Sequence, residues 1–532
     1  MLRLLALIVL LLLATPLATH AQDPFFSVIL EGGLVYDGLG NDPVVADVGL
    51  RDDWIAAVGD LSGQQADLRL NARGLAVVPG FIDIHSHASS RTFEASGVAR
   101  NPMAENYLRQ GVTTVFGGQD GGSAYPIGAF LDQLDAQPAA VNFGMFVGHG
   151  TIRAHVIGGA NRAPTDDELK QMQAMVRQAM EAGAFGLSSG LEYTPGLYAT
   201  TEELIALAQA MAPFGGLYIS HIRDEGSKLL ESVAEVIRIG EEGGVPTQVT
   251  HHKVIGPGRW GKTEASLRLI DEARARGVDA ASDQYPYTAS STGLTILFPA
   301  WSKEGGQDAL VERIRDPETR TRLQQDLVDH INAERGGDPA TIVTANCAWD
   351  ASFNGKSLAA ILEAQNRPVT VEQAAALAME LQARGGCQGV FHSMSEGDVQ
   401  RVMQHPMTMI SSDGGIPTPG VGVPHPRNYG AFARVLRRYV RELEILSFAE
   451  AVRKMTSLPA QRLGLRQRGV LRPGAFADLA VLDPAAVTDQ ATFAEPHQYA
   501  TGVQHVFVNG QAVLLHGALT GARPGRVLRS SN

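Results

Sequence analysis

The sequence predicts an α/β protein: a (β/α)₈ TIM-like barrel with a small β-sandwich domain built from both chain ends. Three observations lead there. Strand-like and helix-like runs alternate over more than 300 residues in the middle of the 532-residue chain, and such alternation implies parallel βαβ units. Residues 22–78 and 466–532 show instead short strands and turns, as in Val28-Ile29-Leu30 and Val506-Phe507-Val508-Asn509-Gly510, the pattern of a small β domain. Several strand-like runs of the middle section also end in His or Asp, the place from which barrel enzymes draw their catalytic groups.

The expected order is a leader over residues 1–21, one part of the sandwich over 22–78, the barrel over 79–465, and the other part of the sandwich over 466–532. The leader has Arg3, an apolar run over 4–13 and a small-residue stretch ending at Ala21. That is the build of a secretory signal peptide, and the run is too short for a membrane-spanning helix. The cleavage region has no Cys, which excludes a lipoprotein, and no later segment is long and apolar enough to span a bilayer. The chain is therefore expected in the periplasm or outside the cell. There its only two cysteines, Cys347 and Cys387, could form one bridge, although sequence cannot place them together. Two cysteines exclude a disulfide scaffold or a Cys-rich zinc module. With Lys+Arg 44 against Asp+Glu 56 and no basic stripe, nucleic acid is not an expected partner.

Within the barrel, Thr165 with Glu168 spells a capping box before a helix reaching about Glu181, and Thr200 with Glu203 repeats the signature. Phe81-Ile82-Asp83-Ile84-His85-Ser86-His87 is an apolar strand ending in His-x-His. Alternation along a strand puts His85 and His87 on one face, where two imidazoles can chelate a metal. Ile219-Ser220-His221 and Val249-Thr250-His251 end two further strands, and Ser411-Ser412-Asp413-Gly414 ends a late one. Each is weak alone, and Ser-Asp-Gly by itself reads as a turn. Together they describe a metal site.

The combination resembles the amidohydrolase superfamily and, within it, the N-acyl-D-amino-acid deacylases (D-aminoacylases). It rests on Pro79-Gly80-Phe81-Ile82-Asp83 with His85 and His87, on Gly186-Leu187-Ser188-Ser189-Gly190-Leu191-Glu192-Tyr193-Thr194-Pro195-Gly196, and on Ser220-His221-Ile222-Arg223-Asp224-Glu225-Gly226. Thr250-His251-His252-Lys253, Asp283-Gln284-Tyr285-Pro286-Tyr287 and His425-Pro426-Arg427-Asn428-Tyr429-Gly430 extend it over nearly the whole mature chain.

The resemblance implies one metal position among His85, His87 and Asp413 and a second, tighter one at His221 and His251, holding one or two Zn²⁺ per chain. Where the family carries a bridging Cys, this chain has Asp120 in Gly118-Gln119-Asp120-Gly121. A carboxylate still binds zinc but is a harder ligand than a thiolate. Asp120 is thus either a ligand or a residue behind the ligands, and Glu192 stands in reserve.

The expected reaction is hydrolysis of an N-acyl-D-amino acid, with Asp413 as general base and then acid. Lys253 is the expected cation for the substrate α-carboxylate, Tyr285 and Ser291 its hydroxyl partners, and Arg223 a second cation or simply half of an ion pair. His252 is expected to be structural, and His149, in Gly148-His149-Gly150-Thr151, a loop histidine rather than a ligand. Residues 294–298 are expected to line the side-chain pocket. They contain no Arg or Lys, which points to an apolar or neutral D-residue. Two rival readings stay open: another amide, such as a cyclic imide or small peptide, or a non-catalytic binding protein on the same scaffold.

Overall fold

The computed structural model describes residues 25–530; the expected leader, residues 1–21, lies outside the described residues. The first strands are β1 (Phe26–Val35), β2 (Val44–Arg51), β3 (Trp54–Gly59), β4 (Ala66–Asn71) and β5 (Ala76–Pro79). Register shifts between Leu30 and Gly33 of β1, where Gly32 has a positive φ of 64°. The first half of β1 pairs β4 and the second half pairs β5, both in parallel. The bulge therefore lets one strand serve two neighbours.

Barrel strands follow: β6 (Phe81–Asp83), β7 (Val112–Gly117), β8 (Asn142–Met145) with its continuation β9 (Val147–Gly148), β10 (Gly186–Gly190), β11 (Leu217–His221), β12 (Thr247–Val249) and β13 (Ala280–Gln284). After an insertion containing β14 (Ser290–Gly293), β15 (Ile342–Asn346) and β16 (Gln388–Phe391), the last barrel strand is β17 (Thr408–Ile410). Pairing is parallel from β6 to β8 and from β9 to β17. The ring closes just beyond the first and last strands, where His87 N–H donates to the Gly414 carbonyl at 2.6 Å and Asp413 N–H to that of His85 at 2.9 Å.

Ile82, Ile84, Phe116, Phe146, Phe185, Leu217, Ile219 and Met409 pack as one apolar group beneath the strand ends. The outer helices bury the other face in a large core. Local sequence explains the helix starts. Thr165 and Glu168 form the expected reciprocal box at Asp166–Glu181. Thr200 caps Thr201–Met211, but Glu203 does not reach back; it is buried against His149 and Arg153. His149 is accordingly a buried, paired residue at a helix start rather than a loop residue.

At the far end, β18 (Leu479–Leu482), β19 (Val503–Val508), β20 (Gln511–Leu515) and β21 (Ala518–Leu519) complete the terminal domain. β18 pairs β5 antiparallel, so strands from both ends share one nine-stranded sheet around Leu30, Val48, Ile55, Leu479 and Phe507.

The insertion departs from the expected alternation. Its three antiparallel strands and the helices Gly306–Arg315, Pro317–Arg335 and Val371–Ala383 enclose a separate apolar core of Leu294, Leu297, Phe298, Leu323, Leu327 and Phe391. Cys347 and Cys387 are disulfide-bonded within it, 40 residues apart in sequence. Closing a loop of that length is worth about 3–4 kcal/mol in the chain-entropy account. Replacing both cysteines by Ser is expected to lower the urea stability of this region by ~2–4 kcal/mol. An unchanged midpoint for the double variant would show that the bridge adds nothing.

Candidate metal centre

The cavity over the barrel has a volume of about 750 Å³ and is lined by His87, Asp120, Glu192, His221, His251, Lys253, Tyr285, Asp413 and Arg427, among others. Its floor is built from strand ends. His221 terminates β11, His251 follows β12, and His85, His87 and Asp413 follow β6 and β17.

Asp120 comes from the turn after β7, and glycines make that turn possible. A Cβ at Gly118, φ 77°, would lie 2.0 Å from the Phe146 carbonyl oxygen, and one at Gly121, φ 75°, would lie 2.8 Å from the Gly190 nitrogen. Gln119 fixes the turn by donating to the carbonyls of Ile84 at 3.0 Å and Phe116 at 3.2 Å. Asp120, His251 and Asp413 have φ of 52°, 36° and 49°, left-handed backbone that a non-glycine residue adopts against strain and that clusters at functional sites.

Two groups of side chains meet at Asp120. In the first, Asp120 Oδ1 is 3.5 Å from His85 Nε2 and Oδ2 is 3.4 Å from His87 Nε2, while Asp413 Oδ1 is 3.5 Å and 3.0 Å from the same two nitrogens. In the second, Asp120 Oδ1 is 3.5 Å from His251 Nε2, which lies 2.8 Å from His221 Nδ1. Either group presents three or more donor atoms within 4.8 Å of one another.

A divalent cation fits these residues on three counts. Both ring nitrogens of His85 and Asp120 Oδ1 are buried without a hydrogen-bond partner. The close imidazole nitrogens of His221 and His251 require a shared proton or cation between them. The donor set of imidazole and carboxylate is the one divalent transition metals take. The electrostatics agree. Burial disfavours charged imidazoles, yet Asp120 and Asp283 hold His85 well above the ordinary range, and Asp120 with Asp413 holds His87 at about 9. Burial likewise raises carboxyls, but His85 and His251 keep Asp120 well below its usual value, and Arg427 and His87 do the same for Asp413. The centre attracts positive charge.

Behind it stand three carboxylates, two of which, Glu225 and Asp283, have no role assigned from sequence. Glu225 Oε1 lies 3.1 Å from His251 Nδ1, and Glu192 Oε2 lies 2.9 Å from His221 Nε2. Glu192 takes the N–H of the far nitrogen of His221 and so turns its other nitrogen toward His251 and Asp120, whereas His251 Nδ1 faces Lys253 Nζ at 2.7 Å as well as Glu225. Glu192, the reserve ligand, stands here as a partner of His221. Asp283 sits 3.6 Å from His85 Nδ1 and also accepts from Ser411 Oγ at 2.8 Å and from the His251 backbone N–H at 2.9 Å. Glu225 could have been suspected from its place four residues beyond His221; nothing in sequence links Asp283 to His85.

The expected substrate residues fall on two sides. Lys253 Nζ donates to Glu225 Oε1 at 2.6 Å and to the His251 carbonyl at 3.0 Å, and lies 5.5 Å from the centre of the Tyr285 ring. Burial pushes the Tyr285 hydroxyl up to about 12. Ser291 Oγ donates to the Gly389 carbonyl at 2.9 Å.

Arg223 is a correction: its guanidinium is held by Glu235 at 2.8 Å and by the carbonyls of Leu197 and Ala199, and it does not line the cavity. Arg427, quoted only as part of a motif, does line it. Its Nη1 is 2.6 Å from Asp413 Oδ2, and its guanidinium is 4.9 Å from the Tyr285 ring centre. Residues 294–298 are a second correction. They mostly face the insertion's own core, and only Ile296 of the five reaches the cavity. His252 is structural, bonded to Ser266 Oγ at 2.8 Å.

A barrel whose strand ends carry this constellation is that of an amidohydrolase. Residues 70–514 match the amidohydrolase family, and the chain belongs to it. The D-aminoacylase of Alcaligenes xylosoxydans xylosoxydans is 38% identical over 94% of this chain and 97% of its own length. The N-acyl-D-glutamate deacylase of the same organism is 37% identical over 94% and 96%. A solved structure of N-acyl-D-glutamate deacylase from Bordetella bronchiseptica, complexed with zinc and a phosphonate mimic of the tetrahedral intermediate, matches with a TM-score of 0.81 at 35% identity, covering 95% of this chain and 100% of that one. Within the family, the chain is therefore a hydrolase of the D-aminoacylase group.

Asp120→Ala is expected to lower affinity for a divalent metal by more than ~100-fold, and Glu225→Gln by ~10–100-fold, the usual effect of removing an orienting partner. Metal content after dialysis against a graded chelator measures both. Equal retention in Asp120→Ala and the parent would remove Asp120 from the ligand set.

Proposed function

We propose that the chain is an exported, zinc-dependent N-acyl-D-amino-acid deacylase that releases a carboxylate and a free D-amino acid. The observation that carries this reading is the meeting of two metal-competent groups at Asp120 beside a wall holding Lys253, Tyr285 and Arg427. His85, His87 and Asp413 would hold one ion, His221 and His251 the other, with Asp120 shared between them. When bound, zinc acidifies a water to near neutrality and polarises the amide carbonyl.

The chain's own groups do the rest. Asp413, kept ionised by Arg427 and His87, accepts the proton of the attacking water and delivers it to the departing nitrogen. Lys253 remains protonated in spite of burial because Glu225 faces it; together with Arg427 and the Tyr285 hydroxyl it receives the substrate α-carboxylate. Glu192 and Glu225 keep the imidazoles of His221 and His251 in one orientation. Export is supported by the leader-like residues 1–21 and by the Cys347–Cys387 bridge, since disulfides persist in oxidising compartments. Among the described residues, no helix is long and apolar enough to cross a membrane.

The test is zinc analysis of the purified protein, paired with hydrolysis of N-acetyl-D- and N-acetyl-L-methionine. One or two zinc ions per chain and turnover of the D form alone are expected. Zinc with turnover of neither would redirect the reading to another amide, and no metal with no turnover would favour a binding protein. Lys253→Ala is expected to raise KM ~10–100-fold for acylated amino acids, the loss of a charge-assisted hydrogen bond. An equal rise for an amide lacking the carboxylate would remove Lys253 from carboxylate binding.

A further inference from the structure

The insertion brings a cation to the cavity that the reaction does not use. Arg335 ends the helix Pro317–Arg335, is only 3% exposed, and still lines the cavity. Among the described residues, its one side-chain hydrogen bond runs from Nη1 to Ser393 Oγ at 2.8 Å. Its Nε is buried without a partner, and no carboxylate oxygen lies within the 4.0 Å ion-pair distance. Neighbouring Glu334 faces Arg259 instead, at 3.4 Å. The guanidinium rests on the Phe391 ring, 4.7 Å from its centre. Of the four other arginine and lysine residues that line the cavity, Lys253 pairs with Glu225 and Arg427 with Asp413, whereas Arg91 and Arg100 are exposed and so remain hydrated. A buried guanidinium with an unmet donor and no carboxylate beside it is unfavourable unless an anion completes it.

Its position is compatible with bound substrate. Ser393 accepts from the Gly256 backbone N–H through its carbonyl at 3.0 Å, and the adjacent Ile255 N–H donates to the Glu225 carbonyl at 3.0 Å. Met394, next to Ser393, takes the Tyr285 hydroxyl at 3.7 Å. Ser393, which holds Arg335, is thus tied to the segments that carry Lys253 and Tyr285. We propose that Arg335 is a specificity-determining residue that binds a second carboxylate of the substrate, carried either by the D-residue side chain or by the acyl group. The planar fork of arginine suits that group. This rests on the deacylase reading, and it overturns the expectation of an apolar or neutral D-residue for substrates whose carboxylate is on the side chain.

The test compares kcat/KM of the zinc-loaded full chain on N-acetyl-D-glutamate, N-succinyl-D-leucine and N-acetyl-D-leucine, in the parent and in Arg335→Gln. One of the two dicarboxylates is expected to exceed N-acetyl-D-leucine by about 10-fold or more, and Arg335→Gln to reduce that ratio by about 10–100-fold, the range for losing a hydrogen-bonded charge pair. The substrate that responds identifies where the carboxylate is carried. An unchanged ratio, or a parent that prefers N-acetyl-D-leucine to both, overturns the proposal. If Arg335→Gln does not fold, Arg335→Lys keeps the charge but loses the fork, and the same ratio must fall, whereas an unaltered ratio again overturns it. If the parent hydrolyses none of the three, the deacylase reading falls by itself. Calorimetric binding of glutarate then decides Arg335: binding that Arg335→Gln abolishes supports the site, and absent or equal binding rejects it.

Discussion

The structure depends on holding Asp120 within 3.5 Å of three imidazoles, those of His85, His87 and His251, of which His85 and His251 are buried and His87 faces the cavity. Nothing in ordinary folding favours that arrangement. Its carboxylate must leave water, and the imidazoles must forgo hydrogen bonds that solvent would supply. The chain accepts these penalties together with left-handed backbone at Asp120, His251 and Asp413. Gly118 and Gly121 are the local price of bringing the turn so near Phe146 and Gly190. Strain of this kind survives only where the surroundings over-determine the geometry, and here the closed barrel does so.

Two carboxylates show how the closure and the site are one construction. Asp83, pushed up to about 7 by burial that Ser412 partly offsets, accepts from the Ser412 backbone N–H at 3.0 Å and from its hydroxyl, tying the end of β6 to the segment that carries Asp413. Asp283, in β13, accepts from Ser411, from the His251 backbone and from Gln248 Nε2 at 2.6 Å, while facing His85. Each staples neighbouring strands at the level where their ends become functional. Buried polar groups satisfied from several strands at once fix a unique arrangement, so the same bonds that define the barrel mouth also set the ligand positions.

Much of this was legible in sequence because it is periodic or local. His-x-His on an apolar strand, histidines at two further strand ends, and the Thr165–Glu168 box are short-range patterns with a single geometric meaning. The Thr200 signature was half right: the cap forms, but Glu203 found stronger partners in His149 and Arg153 than the backbone could offer. Arg223 shared its strand period with Lys253, yet Glu235 on the following helix captured it. Asp283, Glu225 and Arg427 were visible as letters of motifs but not as functions, because their partners come from other strands. The insertion was missed for a related reason. Its apolar residues, from Leu294 to Phe391, form a core of their own, and the sequence of an independent core looks like any other stretch of a large domain.

The division between barrel and insertion carries a chemical consequence. Every candidate metal ligand and Asp413 stands on the barrel, whereas Ile296, Arg335, Asn346 and Gln388, which wall the same cavity, come from the insertion. Asn346 and Gln388 flank Cys347 and Cys387, so the disulfide joins the two strands of this wall directly behind the residues that face the substrate. A covalent tie at that point limits how far β15 and β16 can part and keeps the distance between wall and floor defined, as binding without loss of catalytic alignment requires. Substrate preference can then be altered by exchanging side chains of the insertion without moving the carboxylates and imidazoles that perform hydrolysis, because the two sets belong to separately packed cores.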